Sequence, residues 1–191
     1  MVANLSMGTP TSEAMNEAIS KAVETGVVVV TSAGNDSADA CNQSPASSEF
    51  AITVAALTKS DSKASYSNYG TCVSIFAPGD SIKSASSSST SATRYESGTS
   101  MSAPLVAGVI ALYLEKDPTS TPEQVRNNLT DDSVAGIVTD TLNSPNLVVS
   151  TEVLNNIGIS SAATCSKIFK PCFDDNECCS GHCRMFGRCF I

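Results

Sequence analysis

The sequence lacks any uninterrupted apolar run of about 18 residues, the length needed to cross a bilayer. Its longest runs, Val27–Val30 and Val109–Leu114, are far shorter, so no membrane partner is expected. Charge is also scarce: 16% of the 191 residues are charged and 41% are hydrophobic. That leaves enough apolar material for a core and too little charge for a disordered chain. Basic residues are the rarer sign, 11 against 19 acidic, for a net charge of −8. This balance repels phosphate backbones and acidic lipid surfaces and argues against nucleic-acid binding. Met1–Pro10 has no basic start followed by an apolar segment and a small-residue cleavage site, so an export signal is expected to lie outside this chain. Internal repeats are absent, and there is one histidine, His182.

The eight cysteines are uneven: Cys41 and Cys72 stand apart, and Cys165, Cys172, Cys178, Cys179, Cys183 and Cys189 crowd the C-terminus. Charge changes at the same place. Residues 165–191 carry +1 and the remainder −9. Three parts are expected: 1–157, a small-residue linker over 158–164, and a cysteine-rich module over 165–191.

In the first part, Ala14, Met15, Ala18, Ile19 and Ala22 recur at helical spacing behind Thr11 and Ser12, which predicts a helix over Glu13–Glu24. Gly26 stops it. Val27–Val30 then reads as a strand apolar on both faces, as a parallel sheet requires. Met1–Ser6, Ala51–Ala55 and Cys72–Phe76 are expected as further buried strands, and Ser84–Thr90 as a surface loop. Thr99–Glu115 is apolar nearly all round and predicts a helix at the centre of the domain. Thr121-Pro122-Glu123-Gln124 opens an amphipathic helix to Leu129. Strand, helix, strand in this order predicts an α/β fold.

Gly98-Thr99-Ser100-Met101-Ser102-Ala103-Pro104 places Ser100 at the start of the apolar helix, just after a glycine. Unpaired amides and the helix dipole there can stabilise negative charge on an attacked carbonyl oxygen. Such a serine is, by itself, more often an ordinary cap. Asn35, in Gly34-Asn35-Asp36, reads by itself as a turn residue.

The segment GTSMSAPLVAGVIALYL resembles the nucleophile motif of the subtilisin-like serine proteases. Asn4–Gly8 is similar to the family's substrate-lining strand, and Val28–Asn35 to the strand and loop ending in its oxyanion asparagine. Ser44–Ser47, Ser65–Gly70 and Ile75–Gly79 follow in the family's order, closest to the proteinase K and aqualysin branch. The resemblance implies Ser100 as acylating nucleophile and Asn35 as oxyanion donor. It implies a substrate cleft lined by Leu5, Ser6, Met7 and Gly8 with Ser32, Ala33 and Gly34. It also implies polypeptide substrates, a parallel-sheet sandwich and a monomer when intact.

The family also uses a histidine base oriented by an aspartate, in chain order Asp, His, Ser. His182 follows Ser100 and sits among cysteines, which reads as an exposed loop position. The chain is therefore expected to be the C-terminal portion of a catalytic domain, inactive alone because an N-terminal half supplying base and aspartate is missing. No cofactor or metal is expected. Ser74 stands where the proteinase K branch often has a calcium-ligating aspartate, and a hydroxyl is a poorer ligand for that hard cation.

Cys41 and Cys72 match in placement a disulfide of aqualysin-like members; two buried thiols are the alternative. Six cysteines within 25 residues cannot build a hydrophobic core and need cross-links. An adjacent pair without a Cys-x2-Cys repeat fits zinc poorly. The spacing resembles knottins, which implies Cys165–Cys179, Cys172–Cys183 and Cys178–Cys189. Oxidised cysteines predict a secreted, extracellular protein. The competing reading is a non-catalytic binding or inhibitory protein on a degenerate protease scaffold.

Overall fold

The computed structural model describes residues 1–151. The expected linker, the cysteine-rich module, its six cysteines and His182 lie outside the described residues. Met1–Val149 forms one compact unit.

The strands are β1 (Val2–Leu5), β2 (Thr9–Pro10), β3 (Val28–Ser32), β4 (Gln43–Ser44), β5 (Ile52–Leu57), β6 (Ile75–Pro78), β7 (Ile82–Ala85), β8 (Thr93–Glu96), β9 (Val134–Ala135) and β10 (Leu147–Val148). The α-helices are α1 (Glu13–Glu24), α2 (Thr99–Lys116) and α3 (Pro122–Asp131). A six-stranded sheet runs β1-β3-β5-β6-β10-β9. Its first five strands pair in parallel and β9 closes the edge antiparallel.

Every residue of β3, β5 and β6 is buried. This is why these strands read as continuous apolar or small-residue runs: helices and loops cover both faces of a parallel sheet. Ile52, Val54, Ile75 and Phe76 are among the largest fully buried side chains. Ser12 caps α1 by accepting from Met15 N (3.3 Å), and Gly26 adopts φ 91° just after the helix. Thr121 and Gln124 make a reciprocal capping box on α3, with Pro122 in its first turn. The α/β expectation holds.

Four local expectations need correction. The strand expected at Cys72–Phe76 begins at Ile75, because Cys72 and Val73 lie in a turn closed by Val73 N donating to Gly70 O (3.1 Å). Part of the expected Ser84–Thr90 loop is strand, in the antiparallel hairpin β7–β8. Asn4, expected buried, is exposed because β1 is an edge strand. Helix α2 is not enclosed: Ser102, Ala103, Val106, Val109, Ile110 and Tyr113 face inward, while Pro104, Gly108 and Ala111 are exposed.

Candidate active site

Adjacent parallel strands β1 and β3 end at Leu5 and Ser32, and the chain beyond each carboxyl end turns towards the start of α2. Carboxyl ends of parallel strands are where α/β sheets place ligands. Three hydrogen bonds fix the arrangement. Thr31 Oγ1 donates to Leu5 O (3.1 Å), Ser6 Oγ donates to Ser100 O (2.9 Å), and Gly34 N donates to Thr99 Oγ1 (3.1 Å).

Ser100 is the second residue of α2 and is half-buried. Gly98 precedes the helix at φ 153° and provides no side-chain cap. The Ser100 N–H has no acceptor among the described residues, so the positive helix end stays available for a ligand. Asn35 is exposed beside it. Its Oδ1 accepts from Thr99 N (2.9 Å) and Thr99 Oγ1 (3.0 Å). With the carbonyl end so held, the NH2 end is oriented and has no acceptor among the described residues.

A cleft of about 530 Å³ opens here. Ser6, Met7 and Gly8 form one wall, and Ser32, Gly34, Asn35 and Ser100 another. Leu5 and Ala33 do not line it: Leu5 packs with the α1 face of β3, and Ala33 is fully buried in the core. The cleft also takes Thr9, Pro10, Asp36, Asn42 and Gln43, which the sequence did not single out.

Behind the cleft, fully buried Asn68 donates from Nδ2 to Ala33 O (2.9 Å) and accepts at Oδ1 from Asp36 N (2.9 Å) and Ala38 N (3.0 Å). It therefore shapes the whole turn that presents Asn35. Gly34 has φ 104°, and a Cβ there would collide with the amides of Asn68 and Gln43. The glycine is needed for this close approach as well as for its backbone angle. Thr99 and Asn68 went unrecognised in the sequence; the hydroxyl neighbouring Ser100 was the one available signal for Thr99. Cys41 and Cys72 are joined by a disulfide across 31 positions, tying the segment after Asn35 to the turn before β6. Among the described residues there is no group of three or more His, Cys, Asp or Glu placed to hold a metal ion.

The model of the subtilase family, peptidase S8, matches residues 1–159. The chain belongs to the subtilase family. An extracellular serine proteinase of a Thermus species is 48% identical over 151 residues, covering 78% of this chain and 37% of that protein. A subtilisin-like serine protease of Rhodotorula mucilaginosa is 46% identical over 156 residues, 74% of this chain and 46% of its own length. The crystal structure of a cold-adapted subtilisin-like serine proteinase superposes with a TM-score of 0.75 at 44% identity, over 77% of this chain and 53% of its own. The chain thus spans about half or less of the length of these relatives.

The expectation of a C-terminal portion alone, dependent on a missing N-terminal half, is corrected by the family match. That match begins at residue 1 and runs to residue 159, so the subtilase catalytic domain spans most of this chain. Among the described residues, Met1–Val149 packs as one compact unit. The α/β sheet-and-helix arrangement is subtilisin-like.

Proposed function

We propose that this chain carries the acylating centre of an extracellular subtilase endopeptidase acting on polypeptides. Ser100 Oγ attacks the scissile carbonyl carbon, and the oxygen of the tetrahedral adduct accepts from Asn35 Nδ2 and Ser100 N. As the adduct collapses, the proton lost from the Ser100 hydroxyl reaches the departing nitrogen through solvent, the amine leaves, and the acyl group left on Ser100 is released by water as a carboxylic acid. Leu5 and Ala33 act from behind by fixing the walls; Ser6–Gly8, Ser32 and Gly34 contact the substrate. The observation that carries this reading is the anchoring of Asn35 Oδ1 on Thr99, which aims a neutral donor from beside a free helix end. Extracellular placement is supported by the Cys41–Cys72 disulfide and by the name of the Thermus relative.

A serine hydroxyl also needs a base. No histidine occurs among residues 1–151, and no hydrogen bond is made by Ser100 Oγ among the described residues. The 191 residues alone are therefore proposed to acylate slowly and not to digest casein. Prolonged incubation with a p-nitrophenyl ester, followed by peptide mapping, should find the acyl group on Ser100 and nowhere comparable in Ser100→Ala. Absence of that adduct overturns the acylation reading. Casein hydrolysis lost in Ser100→Ala would overturn only the claim of inactivity.

A further inference from the structure

Three consecutive backbone carbonyls converge on one nitrogen where the chain enters β5. Arg126 Nη2 lies 3.2 Å from Glu49 O, 2.8 Å from Phe50 O and 3.2 Å from Ala51 O. That nitrogen carries two hydrogens, fewer than the oxygens around it. The arrangement is therefore less a set of directed bonds than a cradle for positive charge, of the kind backbone carbonyls make around a hard cation. Glu49 O and Phe50 O accept no other hydrogen bond among the described residues, so the cradle is given over to this one group. Helix α3 holds Arg126 in place: its capping box fixes the first turn, and Val125 and Leu129 are buried.

Ser74 meets the same stretch of chain. Its Oγ accepts from Thr53 N (3.1 Å), and its own N–H donates to Thr53 O (2.8 Å). This is the position where the proteinase K branch often carries a calcium-ligating aspartate. The residues present do not fit calcium. That dication takes about six to eight oxygens and draws on carboxylates to balance its charge. Ser74 offers a neutral hydroxyl already engaged with the backbone. The three carbonyls are engaged with a cation, which would repel a second one at that range. Among the described residues no carboxylate pairs with Arg126, so its charge is met by carbonyl dipoles, as part of a metal ion's would be.

We propose that the cradle at residues 49–51 is a cation site that the chain fills with its own Arg126 guanidinium in place of a divalent metal ion. The two residues belong together: a neutral hydroxyl at Ser74 suits a monovalent cation that forms hydrogen bonds, and Arg126 leaves a dication no place. The result is an anchor between α3 and the entry to β5 that needs no metal and that a chelator cannot strip.

The test follows calcium at this site in the full 191-residue chain. Amide resonances of residues 49–53 are recorded during a calcium titration, and melting temperature is measured in calcium and in chelator. The native chain should show no saturable shift of these resonances. Arg126→Ala combined with Ser74→Asp removes the resident charge and supplies a carboxylate. It should show such a shift, with a melting temperature raised by about 5–10 °C at a hundredfold excess of calcium over its Kd. Ser74→Asp alone should stay blind to calcium, because Arg126 still fills the cradle. Arg126→Ala alone should melt below the native chain and recover part of the loss in ethylguanidinium chloride. Tetramethylammonium chloride, which adds ionic strength without a donor, should give no recovery. If Arg126→Ala does not fold, Arg126→Lys, which keeps the charge, takes its place and should stay as blind to calcium as the native chain. Saturable calcium shifts at residues 49–53 of the native, Ser74→Asp or Arg126→Lys chain overturn the proposal. So do a double variant blind to calcium and an Arg126→Ala chain that is as stable as the native one or gains nothing from ethylguanidinium.

Discussion

The hydroxyl of Thr99 acts in both directions at the start of α2: it accepts from Gly34 N and donates to Asn35 Oδ1. It thereby welds the loop after β3 to the helix end that carries Ser100. Three residues after Thr99 the same logic is broken, because Ser102 Oγ is fully buried and has no partner among the described residues. Its hydroxyl crowds the position where a Cβ on Gly79 would lie. An unsatisfied buried hydroxyl costs about 1–3 kcal/mol. Ser102→Ala should therefore stabilise the chain by about 1 kcal/mol, read as a higher urea midpoint at unchanged slope. A lower midpoint would mean that the hydroxyl has a bonding role. Legibility at this scale follows chain distance. Ser100 and Asn35 stand out because Gly-Thr-Ser and Ala-Gly-Asn are local patterns. Asn68 lies in the segment Ser65–Gly70 that matched the family pattern, but its role was not legible there because the loop it shapes is about thirty positions away in the chain.

Among the elements, α3 is tied down by a guanidinium. Arg126 donates through one nitrogen to the carbonyls of Glu49 (3.2 Å), Phe50 (2.8 Å) and Ala51 (3.2 Å), the segment entering β5. Burial lowers its pKa from the ordinary arginine range, and among the described residues no carboxylate pairs with it, so the three carbonyls carry the compensation. Arg126→Met keeps the apolar stem but leaves those carbonyls without that donor. It should destabilise the chain by about 1–3 kcal/mol in urea unfolding, and no change would show that water serves equally well. The elements that could be read from sequence are those with one strong period. The apolar stripe and caps of α1 and the all-buried β5 belong to this group. Thr93–Glu96 could not be read, since β8 is exposed or half-exposed on both faces and shows no alternation. Helix α2 misled for the opposite reason: its small residues Gly108 and Ala111 look like core residues in sequence and lie at the surface.

For the molecule as a whole, the start of α2 is braced from below by Tyr66, whose hydroxyl donates to Gly79 O (2.7 Å), the same carbonyl that accepts from Gly98 N (2.8 Å). Burial first, and then the charge of Asp80, raise the Tyr66 pKa from 10.0 to about 12. A phenol that holds its proton more tightly when folded contributes stability that is full below pH 10.0 and is lost as pH rises towards about 12. Tyr113, raised by burial and by its bond to Asp132, adds to the same alkaline loss. Tyr66→Phe should therefore make the fall in melting temperature across this window shallower without abolishing it. An unchanged slope would remove Tyr66 from the account. The fold class and the location of the cleft could be read from the sequence because several motifs kept subtilase order. The extent of the family match, from residue 1 onward, could not be inferred from the position of a single histidine.

The central claim is that Ser100 N and Asn35 Nδ2 converge on one oxygen. A crystal structure of the chain with a peptidyl phosphonate bonded to Ser100 tests it directly. The account predicts a phosphonyl oxygen within about 2.7–3.1 Å of both nitrogens. A phosphonyl oxygen turned away from Asn35, or the adduct on another residue, would contradict it.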